Sequence, residues 1–189
     1  TPDVAEEPEL DPDRWVGAGG LGRPLALVGP TASGKTAVML ALAELVGPLE
    51  ALAAGSMSVY RHMDIGTATP TAAERARVPH HLVDLVEPHE EFSVALFQRA
   101  ADEALDAIAA RGARAVLVGG TGLYHRAVID SLELPGRYTE VVAELEAELD
   151  GGGTVESLHA RLAQLDPEAA TRMEPGNRRR VLRALEVTI

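Results

Sequence analysis

The sequence contains no cysteine, which excludes both a disulfide framework and any metal site built on thiolates. Only 3% of its residues are aromatic, too few for a platform on which successive bases of a single strand would stack. Positive charge is scarce as well: 17 Lys and Arg stand against 29 Asp and Glu, a formal net charge of −12. The average field therefore repels polyanions, and any contact with nucleic acid has to come from a local group of cations. No apolar run approaches the roughly 18 residues of a membrane span, and the N-terminus lacks the basic-then-apolar order of a secretory signal. These absences lead us to expect a soluble protein of the cytoplasm with no membrane partner.

What is present is enough for a core, since 46% of the 189 residues are hydrophobic. The opening stretch to Arg23 is acidic, rich in Pro and Gly and without apolar periodicity, so residues 1–23 are expected to be a disordered extension. From Pro24 short apolar runs alternate with helical spacing: "PLALVG", "GKTAVMLALAELVG", "LEALAAGS", then "HHLVDLV", "SVALFQRAADEALDAIAARG" and "ARAVLVGG". Such alternation predicts an α/β core over residues 24–135, a parallel sheet with helices on both faces. After Pro135-Gly136 the spacing is helical throughout, interrupted by "GGG", "LDP" and "EPGN". Residues 136–175 are expected to form a helical insertion and residues 176–189 a helix returning to the core. That last pattern runs to Ile189 without a stop signal, so a longer native product is expected.

One motif carries chemistry on its own. "GPTASGKT", Gly29 to Thr36, follows an apolar run and opens a helical one, the context in which two glycines separated by four residues and followed by Lys-Thr form a phosphate-binding loop. Backbone N–H groups of Gly29, Thr31, Ala32, Ser33 and Gly34 would wrap an oxyanion, with the helix N-terminus adding its partial charge. Lys35 would meet phosphate oxygens and the Thr36 hydroxyl a Mg²⁺ ion bridging them. A nucleotide-hydrolysing protein of this class would also end a later strand in a carboxylate that holds Mg²⁺ and places water. Here "RAVLVGG" ends in Gly119-Gly120-Thr121, leaving Asp84 as the acidic candidate or as a solvated strand-end carboxylate.

The ordered set "GPTASGKT", "SMSVYRHMDIGTATPT", "VPHHLVDLVEP", "FSVALFQRAA", "VLVGGTGLY" and "RALEV" resembles the tRNA dimethylallyltransferase (tRNA isopentenyltransferase) family from about Pro24 to Ile189. The resemblance implies a P-loop fold that accepts dimethylallyl diphosphate instead of ATP. The prenyl group would move to N6 of the adenosine next to the tRNA anticodon, and diphosphate would leave. It further implies that Thr121 lies near the reacting centre, although the same residue could simply cap the helix "TGLYHRAVID". Ser56, Met57 and Ser58 would contact the target nucleotide, and the basic face of Arg179, Arg180 and Arg183 would hold flanking phosphates; a solvated helix face is the alternative. The family's C-terminal part, which helps grip the anticodon stem, is not in this sequence. A monomer is expected.

The chain departs from the family pattern at the position that matters most. Members usually carry an aspartate two residues before the methionine of "SM", as general base; this chain has Gly55. Such a base typically contributes about 10²–10⁴-fold. Either the chain is a repurposed relative, or a neighbouring group substitutes, or the glycine was introduced; Asp64 and His62 are the nearest ionisable residues in sequence. Thr69 replaces a usual lysine, "EPGN" a usual His-Pro-Asn-Asp, and Val142 a common arginine, each removing a contact that could touch RNA. His80 and His81 are adjacent and would point to opposite faces of a strand, a poor geometry for one metal. Three other functions remain open: a small-molecule kinase, a non-catalytic tRNA-binding relative, and an enzyme that prenylates free adenine nucleotides.

Overall fold

The computed structural model describes residues 23–189; the expected extension over residues 1–23 lies outside them except for Arg23. Two compact units divide at Leu132/Glu133. The first is a four-stranded, all-parallel sheet in the order β1-β4-β2-β3, with β1 Leu25–Val28, β2 Leu49–Ala53, β3 His80–His81 and β4 Arg114–Gly119. Parallel neighbours that are not consecutive in sequence need crossovers, supplied here by α1 Lys35–Val46, α2 Ala72–Arg77 and α3 Val94–Ala110, with α4 Gly122–Ile129 following β4.

Because side chains alternate along a strand, β2 and β4 feed two cores. Leu52, Ala115 and Leu117 meet Phe97, Ala101, Leu105 and Ile108 of α3 and Tyr124 and Val128 of α4 on one face. Leu49, Ala51 and Val116 meet Met39 and Leu40 of α1 on the other. Phe97 and Tyr124 stack with ring centroids 3.9 Å apart. Gln98 Nε2 fastens α3 to the end of α4 by donating to the Ala127 and Leu132 carbonyls at 2.7 and 3.1 Å. The helix starts follow their local chemistry: Ser93 accepts from Leu96 N–H, and Thr71 with Glu74 closes a reciprocal capping box.

The run "HHLVDLV" is strand only at its first two residues. Leu82 and Asp84 have φ of 63° and 55°, a left-handed backbone that breaks the ladder; a single bridge from Tyr60 to Val86 follows.

The second unit is helical: α5 Thr139–Asp150, α6 Val155–Leu165, α7 Pro167–Thr171 and α8 Arg178–Thr188. Leu145, Leu158, Leu162, Ala170, Val181, Leu182 and Leu185 form its core. The apolar stripe of α8 is thus used on α5 and α6, and residues 176–189 fall in this unit.

Candidate active site

The carboxyl ends of β1, β2 and β4 open on one cleft of about 620 Å³, walled by the loop Pro30–Thr36, by Gly55–Ser58 and by Gly119–Thr121. This is where a parallel sheet receives its ligands. Ala32 and Gly34, with φ of 63° and 81°, turn the loop so that α1 starts with no capping side chain. The first N–H groups of α1 therefore have neither an intrahelical acceptor nor a cap, and with the helix dipole they favour an anion. Lys35 Nζ lies over the loop, donating to the Pro30 carbonyl at 2.6 Å and to Ser33 Oγ at 3.5 Å.

Two glycines let the strand ends close in on each other. A Cβ on Gly119 would sit 2.1 Å from the Ala54 carbonyl oxygen, and one on Gly120 would sit 3.0 Å from the Gly29 oxygen. That closeness brings Thr121 to the end of β2. Its hydroxyl oxygen accepts the Ser56 N–H at 3.1 Å, and its own N–H donates to Ala54 O at 3.3 Å. The hydroxyl makes no capping bond to α4, so of its two expected roles the cap is not made, and its proton is left to donate.

Gly55 lines the cleft, and Ser58, 4% exposed, donates its hydroxyl to the Gly55 carbonyl at 2.8 Å. Ser56 and Met57 are exposed on the same wall. Asp64 and His62, the candidates nearest in sequence, are exposed, and neither is among the lining residues. Asp84 is paired with Arg75 at 2.8 Å and does not line the cleft either. Thr69 turns inward on its own loop, its hydroxyl 2.8 Å from that of Thr67, which donates to the Met63 carbonyl at 2.5 Å.

Among the described residues the lining contains no carboxylate, and its ionisable side chains are Lys35 and His80. The two adjacent histidines go separate ways, as strand geometry requires. His80 Nδ1 is 2.7 Å from the Val78 carbonyl, whereas His81 Nε2 is 2.6 Å from Glu50, whose carboxylate also takes a bidentate fork from Arg111 at 2.9 and 2.7 Å. That fork leads the effects that hold the Glu50 carboxyl below its ordinary value against the opposing effect of burial, with His81 adding to it. Among the described residues no three His, Cys, Asp or Glu gather as a metal cluster. His125, buried on α4, is 3.3 Å through Nε2 from the Gly119 carbonyl; burial is the main cause of its lowered pKa, and its Nδ1 has no partner.

The basic cluster belongs to the second unit. Arg178 pairs with Glu146. Arg183 donates to the Pro135 and Gly136 carbonyls at 2.7 and 3.0 Å and pairs with Glu186 at 2.8 Å. Burial alone would raise the Glu186 pKa, but Arg183 and the Tyr138 N–H outweigh it and hold it low. Arg179 and Arg180 are exposed. The loop, Gly55 and Thr121, named from the sequence, line one cleft together with His80, which the sequence reading weighs only as a metal ligand.

A family model described as IPP transferase matches residues 58–189. The chain is 52% identical over 175 residues to a tRNA dimethylallyltransferase of Myxococcus xanthus, covering 91% of this chain and 56% of that protein. It is 54% identical over 165 residues to one of Roseiflexus castenholzii, covering 86% and 53%. Among solved structures, it is similar to the full-length tRNA isopentenylpyrophosphate transferase of Bacillus halodurans, with a TM-score of 0.57 at 46% identity, over 87% of this chain and 55% of that one. A eukaryotic dimethylallyltransferase acting on tRNA gives a TM-score of 0.69 at 27% identity over 87% and 41%. The chain spans about half the length of the curated relatives it matches. With the parallel α/β fold, the phosphate loop and the family match in agreement, this chain belongs to the IPP transferase family, that of the tRNA dimethylallyltransferases.

Proposed function

We propose that the cleft holds dimethylallyl diphosphate on Gly29–Thr36, and that the protein transfers the dimethylallyl group to N6 of the adenosine beside the tRNA anticodon. What supports this reading is a glycine-rich loop leading into the uncapped start of α1, in a cleft whose lining, among the described residues, carries no carboxylate. A nucleotide-hydrolysing site needs an acidic strand end to hold Mg²⁺ and place water, and β4 ends in Gly119-Gly120-Thr121. A leaving-group clamp needs only donors. As the carbon–oxygen bond of the donor breaks and the nitrogen–carbon bond forms, charge builds on the departing diphosphate. The N–H groups of the loop and the Lys35 ammonium stabilise that charge as it appears.

The Thr36 hydroxyl lines the cleft beside Lys35. As a hard oxygen donor it suits Mg²⁺, which commonly completes its shell with substrate phosphates and water. When bound there, Mg²⁺ would neutralise part of the leaving group's charge. Thr121, with its proton free to donate, orients the adenine amine or a diphosphate oxygen. Ser56, Met57 and Ser58 contact the target nucleotide, and Arg179 and Arg180 contact RNA phosphates, while Arg183 is held by Pro135, Gly136 and Glu186. The protein acts as a monomer in the cytoplasm; among the described residues no helix is long and apolar enough to cross a membrane.

The missing carboxylate at Gly55 favours one second reading, a relative that binds tRNA without turnover. Labelled dimethylallyl diphosphate supplied with tRNA, with AMP, or with ATP in place of the donor separates the possibilities. Label appearing in tRNA alone supports the main reading. Binding of tRNA without label supports the second, label in AMP indicates a nucleotide prenyltransferase, and phosphoryl transfer from ATP contradicts both proposals.

A further inference from the structure

The Gly119 carbonyl sits where β4, the phosphate loop and α4 meet. It accepts the Gly29 N–H at 3.4 Å and lies 3.3 Å from His125 Nε2. A carbonyl oxygen only accepts, so the ring proton is on Nε2 and Nδ1 is left as an unprotonated acceptor. The backbone N–H of the same histidine donates to the Thr121 carbonyl at 3.2 Å. His125 thus holds both ends of the turn Gly119–Thr121, which lines the cleft and carries the Thr121 hydroxyl. The residue is 4% exposed and is not among the lining residues, so it reaches a ligand only through that turn.

Packing alone does not account for a histidine at this place. Its Nδ1 has no partner among the described residues, and a buried acceptor left unpaired costs stability. An apolar side chain of similar size would avoid that cost and lose only the donor. Burial is the main cause that holds the His125 pKa below its ordinary value, with the Gly119 carbonyl opposing and Lys35 adding to it. The ring therefore donates as a neutral group at neutral pH and adds no charge that would repel the Lys35 ammonium.

We propose that His125 is a positioning residue of the cleft: its Nε2–H pins the Gly119 carbonyl and, through it, sets the separation between Gly29, where the loop begins, and Thr121. This inference rests on the reading of Gly29–Thr36 as the diphosphate-binding loop. At the junction main chain packs on main chain, since a Cβ on Gly120 would sit 3.0 Å from the Gly29 oxygen, and neither glycine has a side chain to fix the spacing. The imidazole fixes it from the buried side. Donors aimed at an anion act through their preset placement, so a turn that drifts loosens the grip of the loop beside it.

The test compares His125→Leu and His125→Gln with the unsubstituted chain, by calorimetry with Mg²⁺ and either dimethylallyl diphosphate or inorganic diphosphate, and by thermal melts. Glutamine can carry an amide N–H to the same carbonyl, and leucine cannot. His125→Leu is expected to weaken both diphosphates about tenfold, the size of one net hydrogen bond, and His125→Gln to stay within about threefold. The melts should run the other way, with the leucine variant, free of an orphaned polar atom, at or above the glutamine one. Undiminished binding by His125→Leu would overturn the proposal, as would equal losses in the two variants or affinities that simply follow the melting temperatures. Nitrogen NMR of the imidazole in the unsubstituted chain gives a check that needs no variant to fold: the proton is expected on Nε2, and a proton on Nδ1 overturns the proposal. Binding of inorganic diphosphate without the prenyl ester defeats the prenyl-transfer reading but leaves His125 to be judged by the same comparison. Binding of neither by the unsubstituted chain defeats both.

Discussion

Restoring a carboxylate at position 55 is the sharpest perturbation available. The φ of Gly55 lies outside the left-handed region, so an L residue fits the backbone. A Cβ there would lie 3.1 Å from Ser58 Oγ, tight enough that the serine must yield by a few tenths of an ångström. The bond at stake is the 2.8 Å one from that hydroxyl to the Gly55 carbonyl, worth about 0.5–1.5 kcal/mol. Gly55→Asp should therefore lower the Tm by a few degrees, at about 2–4 °C per kcal/mol for a chain of this size. A positioned base contributes about 10²–10⁴-fold, or about 3–5 kcal/mol of barrier. The kinetic gain exceeds the stability loss, and the net increase should be at least about tenfold. Label transfer from dimethylallyl diphosphate to tRNA measures it, alongside a thermal melt. Unchanged turnover in a protein that still melts cooperatively and still binds the donor would refute the assignment of Gly55 as the base position.

Gly119→Ala forces a methyl to within 2.1 Å of the Ala54 carbonyl oxygen, backbone against backbone, so urea unfolding should show a loss at or above the usual 1–3 kcal/mol of overpacking, about 3 kcal/mol. Glu50 has a folded pKa below its ordinary 4.5. Its contribution is therefore fully present above that value and lost as pH falls through the lower folded one; Glu50→Gln should flatten the acid limb of a stability–pH curve below pH 4.5. Arg179→Ala with Arg180→Ala should weaken tRNA binding uniformly across sequences. It should also reduce the slope of log affinity against log salt by about 0.7–0.9 per phosphate contact removed, leaving dimethylallyl diphosphate affinity unchanged.

Much of this site is legible in the sequence because its parts are local. The loop from Gly29 to Thr36 declares itself between an apolar run and a helical one, whereas the close approach at Gly119 and Gly120, with separations of 2.1 and 3.0 Å, shows only in the structure. The stretch between "LEALAAGS" and "HHLVDLV" reads as a polar loop, yet Thr71 and Glu74 carry the spacing of a capping box, and α2 forms there. What stays hidden depends on tertiary context. Nothing local reveals that Leu82 and Asp84 adopt positive φ and cut β3 to two residues. The partners of Arg183 at Pro135 and Gly136 lie nearly fifty residues away, so an arginine that looks available for RNA has three contacts within its own unit.

The account depends most on the cleft receiving a departing diphosphate instead of activating a nucleoside triphosphate. Isothermal calorimetry with Mg²⁺ tests this most directly, titrating the protein with dimethylallyl diphosphate and, separately, with ATP. Uptake of the prenyl diphosphate that inorganic diphosphate competes away and Lys35→Met weakens is the predicted result. Tight uptake of ATP with none of the prenyl diphosphate would contradict it.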